Sequence, residues 1–455
     1  MKNYKKLFSI FLTTLFIVSC SKDDSIPTVE EPTGYTQYGT PFSQVPATED
    51  MIVYEVNIRS FSANGDLQSV INRLDNIKSL GVNTIWLMPI YPVGAVNSVN
   101  SPYCVKNYKE VATEYGNLTT LRNLTTQAHQ KGMTVILDWV ANHTSWDNPW
   151  ITTHSDWYTK NSSGQIIHPA GTNWTDVADL NFGNQEMRLA MIDTMKYWVL
   201  EANIDGFRCD YADGVPFDFW QQAITNLNTI PNRDLIFLAE GNRNDHFTAG
   251  FDMNYAWDFY AKSKAIWNGE SAANLYTTNT TEYTNVPSGK HKIRFTTNHD
   301  ESAWDATPMT LFNGKNGALA ASVATIFMNG VPLFYTGQEV GRLNTVSFFN
   351  STPIDWNTNP DMLLAYQNMM TFYKNSNASK KGMITTYPSN DILCFQKVYN
   401  SENVLIFVNT RNTPITFLLP TGLQNTNWNE AMTNGTYSLS TSINLSAYQY
   451  LILKN

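Results

Sequence analysis

Charge is scarce in this chain. Of 455 residues only 15% are Asp, Glu, Lys or Arg, against roughly 25% in an ordinary soluble protein. Past the first six residues no block of Lys or Arg occurs, and the formal charge is −9. A phosphate-binding surface would need a cationic footprint, so nucleic acid is excluded as a main partner. Long apolar runs are missing as well. The one continuous candidate, Leu7 to Val18, is too short to span a bilayer. Cysteine is also rare: beyond Cys20 there are only Cys104, Cys209 and Cys394, an odd set without CxxC spacing. Neither a disulfide framework nor a zinc site is indicated, and each of the three reads as a small buried hydrophobe. What the chain has in quantity is aromatic side chain, 13% of the residues, within a hydrophobic content of 42% that supports a large core.

The amino terminus reads as an address. Lys2, Lys5 and Lys6 precede the short apolar run, and small Ser19 leads into Cys20. Val18-Ser19-Cys20 resembles a bacterial lipobox, in which the cysteine becomes the lipidated first residue. Ser21-Lys22-Asp23-Asp24 is similar to the acidic export tag of Bacteroidetes surface lipoproteins. These resemblances imply residues 1–20 as signal and lipidation site, with Cys20 anchored in the cell envelope, at the outer membrane. Residues 21–46, with Pro27, Pro32, Pro41 and Pro46 and no apolar periodicity, read as a solvated tether.

From Met51 short apolar runs alternate with helical periodicity, the pattern of parallel strands crossed over by helices. Leu67, Val70, Ile71, Leu74, Ile77 and Leu80 share a helix face, and Gly81 stops that helix before a buried strand, Val82 to Ile90. Helices around Leu121–Gln130, Gln185–Glu201 and Phe219–Leu227 feed strands at Thr134–Val140, Gly206–Asp210 and Leu235–Glu240. With Ile52–Asn57, Phe251–Tyr255, Ile293–Thr297 and Val331–Thr336 the strands number eight, which predicts an α/β fold, a (β/α)8 barrel over residues 47–375. The segment 143–184, rich in Trp, Asn, Asp and Gly, is an overlong connection of the kind that carries function. After a last helix near Asp361–Lys374, Ser376–Lys381 reads as a polar break. Residues 376–455 then alternate in short β text, predicting an antiparallel β-sandwich domain.

Chemistry in such barrels sits at the carboxyl ends of the strands. Four ends carry acids: Asp138 before Asn142 and His143, Asp210 two residues after Arg208, Glu240, and Asp300 after Asn298 and His299. Each lies at or just beyond an apolar strand, where burial raises the cost of ionisation unless partners compensate. Several acids, one arginine and two histidines fit glycosidic bond cleavage. One carboxylate attacks or stabilises the sugar carbon while one acid protonates the leaving oxygen.

Asp138-Trp139-Val140-Ala141-Asn142-His143, Gly206-Phe207-Arg208-Cys209-Asp210, Glu240 and Asn298-His299-Asp300 resemble the four ordered motifs of the alpha-amylase superfamily of glycoside hydrolases. Gly81 to Pro89, Ser101-Pro102-Tyr103 and Gly330 to Glu339 agree with that family too. The resemblance implies Asp210 as nucleophile, Glu240 as general acid and base, and Asp300 as the third acid, hydrogen-bonded to sugar hydroxyls. It implies Tyr103, His143, Arg208 and His299 as substrate-binding residues. Arg208 is expected to lower the pKa of Asp210, and Glu240 to stay protonated near neutral pH in a drier site. The activity implied is retaining hydrolysis of α-1,4 bonds in starch or maltooligosaccharides. A transglycosylase, a neopullulanase- or α-glucosidase-like enzyme, and a noncatalytic glycan-binding lipoprotein are the alternatives. Two departures stand out. Asp213-Gly214 occupies the place of a Lys-His pair that in many relatives reaches the leaving group, and Val177 to Asn181 matches neither the α-1,4 nor the α-1,6 wording of the fifth motif. The family also binds structural calcium in many members, for which Asn142, Asp176 or Asp179 and the Gly214 carbonyl are available. No required metal or other cofactor is predicted.

Overall fold

The structure is a computed structural model that describes residues 34–455. The signal segment, Cys20 and residues 21–33 of the expected tether lie outside the described residues. Strands β1 (Val53–Val56), β2 (Thr84–Leu87), β3 (Thr134–Trp139), β4 (Gly206–Cys209), β5 (Ile236–Ala239), β6 (Met253–Tyr255), β7 (His291–Arg294) and β8 (Val331–Tyr335) close a parallel barrel. Each pairs with the next in sequence, and β8 pairs with β1.

The barrel interior shows why its upper end is reactive. Strand side chains alternate faces, so positions two apart share the interior. Val53, Ile136, Leu238 and Met253 belong to an apolar cluster that fills the lower interior. Two residues further along their strands the inward positions become Glu55, Asp138, Glu240 and Tyr255. The first two are fully buried, as is Arg208, which registers opposite Asp138 across β3 and β4. An apolar floor thus carries a polar layer at the carboxyl end.

Helices cover the barrel as the periodicity predicts, including Leu118–Gln130, Gln185–Glu201, Phe217–Leu227 and Pro360–Asn375. Three expectations are corrected. The helix read over Leu67–Leu80 divides into Leu67–Ile71 and Leu74–Ser79, because the chain turns at Arg73, whose guanidinium lies over the Trp356 ring at 4.1 Å. The break read at Ser376–Lys381 is a short helix, Asn377–Lys381, whose cap Ser376 accepts from the Ser379 amide while Glu402 accepts from the Ala378 amide. From Gly34 on, the expected tether is docked on the barrel rather than solvated. The Thr36 amide donates to Glu201, the Tyr38 amide to the Leu200 carbonyl, and Phe42 stacks on His129.

Within 143–184, His143–Ser145 pairs antiparallel with Val177–Asp179, and Trp150 packs between Tyr108 and Trp157. Beyond the barrel a six-stranded antiparallel sheet runs in the order 383–386, 392–399, 402–409, 450–454, 426–430, 436–439. A two-stranded ribbon, Ile415–Leu418 with Ser442–Leu445, lies separate from it. Phe407, Trp428, Ile443 and Leu453 are buried together between the two.

Candidate active site

The carboxyl ends of the strands open into a cavity of about 570 Å³. Tyr103, His143, Asp210, Glu240, His299 and Asp300 all line it. Arg208 does not. With no exposed surface it lies beneath the acids, so it reaches a ligand only through them, a correction to its reading as a substrate-binding residue.

Each acid is delivered by backbone pairing at a strand end. The Asp210 amide donates to the Trp139 carbonyl and the Glu240 amide to the Cys209 carbonyl, which continues the β3, β4, β5 ladder by one residue. Asp300 stands in the first turn of the helix His299–Trp304, whose cap is Asn298, its side chain accepting from the Glu301 amide at 2.8 Å.

Arg208 binds these acids into one network. Its Nη1 donates to Asp138 Oδ1 and to Asp210 Oδ1, both at 2.9 Å, and its Nη2 lies 3.0 Å from Glu240 Oε2. That last contact is ionic rather than an aligned hydrogen bond, since Nη2 has no hydrogen-bond partner. Asp138 is fully buried among three donors, its Oδ2 accepting from the Tyr103 hydroxyl at 2.9 Å and from Trp86 Nε1 at 3.1 Å. It therefore orients Arg208 and Tyr103 and has no free oxygen for a sugar.

The expected order of acidities is reversed. Burial alone would raise Glu240, but the Arg208 charge and the Tyr211 amide, 2.6 Å from Oε2, outweigh it and hold the carboxyl below its ordinary range. Asp210 is pushed well up, first by burial and then by the Glu240 charge. Asp300 is raised for the same two reasons. One guanidinium divided among three carboxylates cannot compensate them all, and the group with an added backbone donor keeps its charge. A sugar must redistribute this proton as it enters.

His299 is held from two sides. Its Nδ1 lies 2.5 Å from Glu55 Oε1, and its Nε2 lies 2.8 Å from the Tyr103 hydroxyl and 3.3 Å from Asp300 Oδ2. Glu55 was not singled out by the sequence reading. The available signal was an acid inside the apolar run of β1, where ionisation is costly without a partner. His143 is buried, and burial pushes its imidazole down to about 4, so it faces the cavity neutral.

Two aromatic groups flank the acids. On one wall Tyr103 stacks with His299 at 5.4 Å and Phe348 at 5.6 Å, and exposed Trp304 extends this wall against Phe348 and Phe349. On the other, Trp174 meets Tyr211 edge to face at 4.9 Å. Phe348, Phe349, Trp174 and Tyr211 lie outside helices and strands, and with Trp304, the last residue of its helix, they were missed, because nothing in their spacing separates them from core aromatics.

The acids available for calcium lie within the 143–184 segment. Asp176 lies on the wall of the catalytic cavity, and Asp179 hydrogen-bonds with Thr159. Among the described residues no group of three or more His, Cys, Asp or Glu side chains is placed to hold a metal ion.

The family described as "Alpha amylase, catalytic domain" matches residues 35–385. The chain is similar to alpha-amylase 3 of Dictyoglomus thermophilum, 28% identical over 341 residues, which are 65% of this chain and 65% of that protein. It is 32% identical over 200 residues to a probable oligo-1,6-glucosidase of Bacillus subtilis, 36% of this chain and 34% of the relative. The chain thus spans less than two thirds of the length of these curated relatives. Among solved structures, an alpha-amylase from Lactobacillus plantarum superposes with a TM-score of 0.81 at 28% identity, covering 90% of this chain and 99% of the other.

Proposed function

This chain belongs to the alpha-amylase catalytic-domain family, and on that premise we propose that it hydrolyses α-1,4-glucosidic bonds of starch or maltooligosaccharides with retention of configuration. The observation that carries the reading is the convergence of Asp210, Glu240 and Asp300 on one cavity of a size for sugar rings, with Asp210 and Glu240 sharing the Arg208 guanidinium. Asp210 attacks the anomeric carbon while Glu240 gives its proton to the glycosidic oxygen. Glu240 then takes a proton from water, which releases the sugar from Asp210. Asp300 and His299 accept and donate hydrogen bonds to hydroxyls of the ring being cleaved.

The resting charge distribution fits this sequence once sugar displaces water. A neutral glycosidic oxygen beside Glu240 favours the protonated acid, and Arg208 then turns its charge toward Asp210. Digestion of maltoheptaose tests the reading: the α-anomer of shorter products is expected first, and Asp210→Asn is expected to abolish turnover. Products longer than the substrate would favour the transglycosylase. Activity on isomaltose-type linkages would favour the neopullulanase- or glucosidase-like reading, which the oligo-1,6-glucosidase relative keeps open.

The lipobox-like Val18-Ser19-Cys20 supports attachment to the bacterial cell envelope through a lipidated Cys20. Labelled palmitate incorporated by the wild type and lost in Cys20→Ala tests it. No calcium requirement is proposed, and retained turnover and Tm in EDTA are the expected result.

A further inference from the structure

Asp213-Gly214 replaces the pair that in many relatives reaches the leaving group, and the structure fills that side differently. Tyr211, the residue after the nucleophile, has φ +44°, a left-handed conformation that a bulky side chain holds only when its surroundings impose it. Those surroundings are specific. The Tyr211 amide donates to Glu240 Oε2 at 2.6 Å, and its carbonyl accepts from the Gly214 amide at 2.9 Å. The ring lies directly on Gly214: a Cβ at that position would stand 2.0 Å from Tyr211 Cε1 and 2.4 Å from Cδ1. Trp174 braces the ring in an edge-to-face pair at 4.9 Å and 76°.

Asp213 fixes the neighbouring loop, accepting from the amides of Asn242 at 3.2 Å and Arg243 at 3.4 Å, directly after Glu240. Packed this firmly, Tyr211 is still 36% exposed and lines the catalytic cavity beside Asp210 and Glu240. A strained, braced aromatic left partly open to a cavity is built to receive something flat and partly apolar.

Its place relative to the acids says what. Glu240 protonates the oxygen of the departing sugar, so that sugar lies beyond Glu240 on the side that Tyr211 borders. Tyr103, His299 and Asp300 border the other ring of the scissile bond, joined to one another through His299 Nε2. We propose that Tyr211, seated on Gly214 and braced by Trp174, is the stacking platform for the pyranose on the leaving-group side, and for any acceptor sugar that enters there. The proposal rests on the hydrolase reading above and names the residue that sets its leaving-group specificity.

The test compares kcat/KM for maltoheptaose, whose leaving group is a sugar, with kcat/KM for α-maltosyl fluoride, whose leaving group is not. Tyr211→Ala removes the platform, and Gly214→Ala pushes the ring away while keeping the tyrosine, so two variants with different folding risks probe one contact. In both, the ratio of maltoheptaose to fluoride kcat/KM is expected to fall about tenfold, the scale of uncovering one face of a buried ring. A ratio within twofold of wild type in both variants overturns the proposal. So does an equal loss on both substrates, which would mean that Tyr211 acts on the nucleophile or the fold that both reactions share. Wild-type protein that turns over neither substrate would sink the hydrolase reading itself, an outcome distinct from an active enzyme with an unchanged ratio.

Discussion

Asp138→Asn is nearly isosteric, yet the structure predicts a large effect. Every contact that Asp138 makes through its side chain is as an acceptor: Oδ1 from Arg208, and Oδ2 from the Tyr103 hydroxyl and Trp86 Nε1. An amide has one accepting atom, so its NH2 group must face either the guanidinium or the hydroxyl and indole, donor against donor. Arg208 is fully buried, and removing one of its buried carboxylate partners costs roughly 3–5 kcal/mol, toward the lower end here because Asp210 and Glu240 still face the guanidinium. Part of that loss appears in stability and part in catalysis, since a freed Arg208 shifts toward Asp210 and Glu240 and holds both ionised. A loss of about 3 kcal/mol in transition-state stabilisation lowers kcat/KM on maltoheptaose about 100-fold.

A double variant separates geometry from charge. Tyr103→Phe removes one of the donors that clash with the amide, so it is expected to cost less in the Asp138→Asn background than in wild type. Steady-state kinetics with thermal melting of the four proteins gives the answer. An Asp138→Asn enzyme within threefold of wild type, or strictly additive losses, would refute the claim that Asp138 positions Arg208.

Three further outcomes follow from buried groups. Glu55→Leu leaves His299 Nδ1 without its acceptor and is expected to lower kcat/KM about 30-fold, with Glu55→Gln recovering part of it; equal activity of Leu and wild type would remove Glu55 from the site. His143, held at about 4 against an ordinary 6.5, makes the unfolded chain bind a proton that the native state refuses between those values. Its contribution is intact above pH 6.5 and falls by roughly 3 kcal/mol as pH drops to 4. Urea unfolding at pH 7 and pH 4.5 should therefore show a smaller acid loss in His143→Gln than in wild type. Lys397, buried with its ammonium on the Ser379 carbonyl, is pushed down to about 7, so below pH 10.5 the native state is penalised, fully so below 7. Lys397→Met is expected to raise Tm by a few degrees at pH 7 and to match wild type near pH 10.5; a lower Tm at pH 7 would contradict this.

What could be read from the sequence, and what could not, divides along a physical line. The eight strands were legible because each joins an apolar run to a polar residue at its carboxyl end, and the short β6, with Asn254 between Met253 and Tyr255, was the ambiguous one for lack of length. Asp210, Glu240, Asp300, Tyr103, His143 and His299 were likewise legible through motif order, and the structure brings all six to one cavity. Contacts between segments far apart in the chain were not. Tyr35, Tyr38 and Phe42 have no period of their own, and only the Gln185–Glu201 helix with Lys109, Arg122 and His129 explains why residues 34–46 pack.

The reversed acidities belong to the same class. From the text, Arg208 stands two residues from Asp210 on one strand face and so appears to belong to the nucleophile. In three dimensions Asp138 and Glu240 approach that guanidinium as closely as Asp210 does, within 2.9 to 3.0 Å. A charge assigned to one acid by sequence proximity is thus divided by the barrel's curvature, which brings β3, β4 and β5 around a single point. The Tyr211 amide adds to Arg208 in keeping Glu240 ionised. Its backbone touches the general acid while its side chain lines the cavity, so one residue bears on both the acid and the wall beyond it. A variant that relaxes Tyr211 to ordinary backbone geometry is therefore expected to alter the contact to Glu240 and the fit of the leaving sugar together.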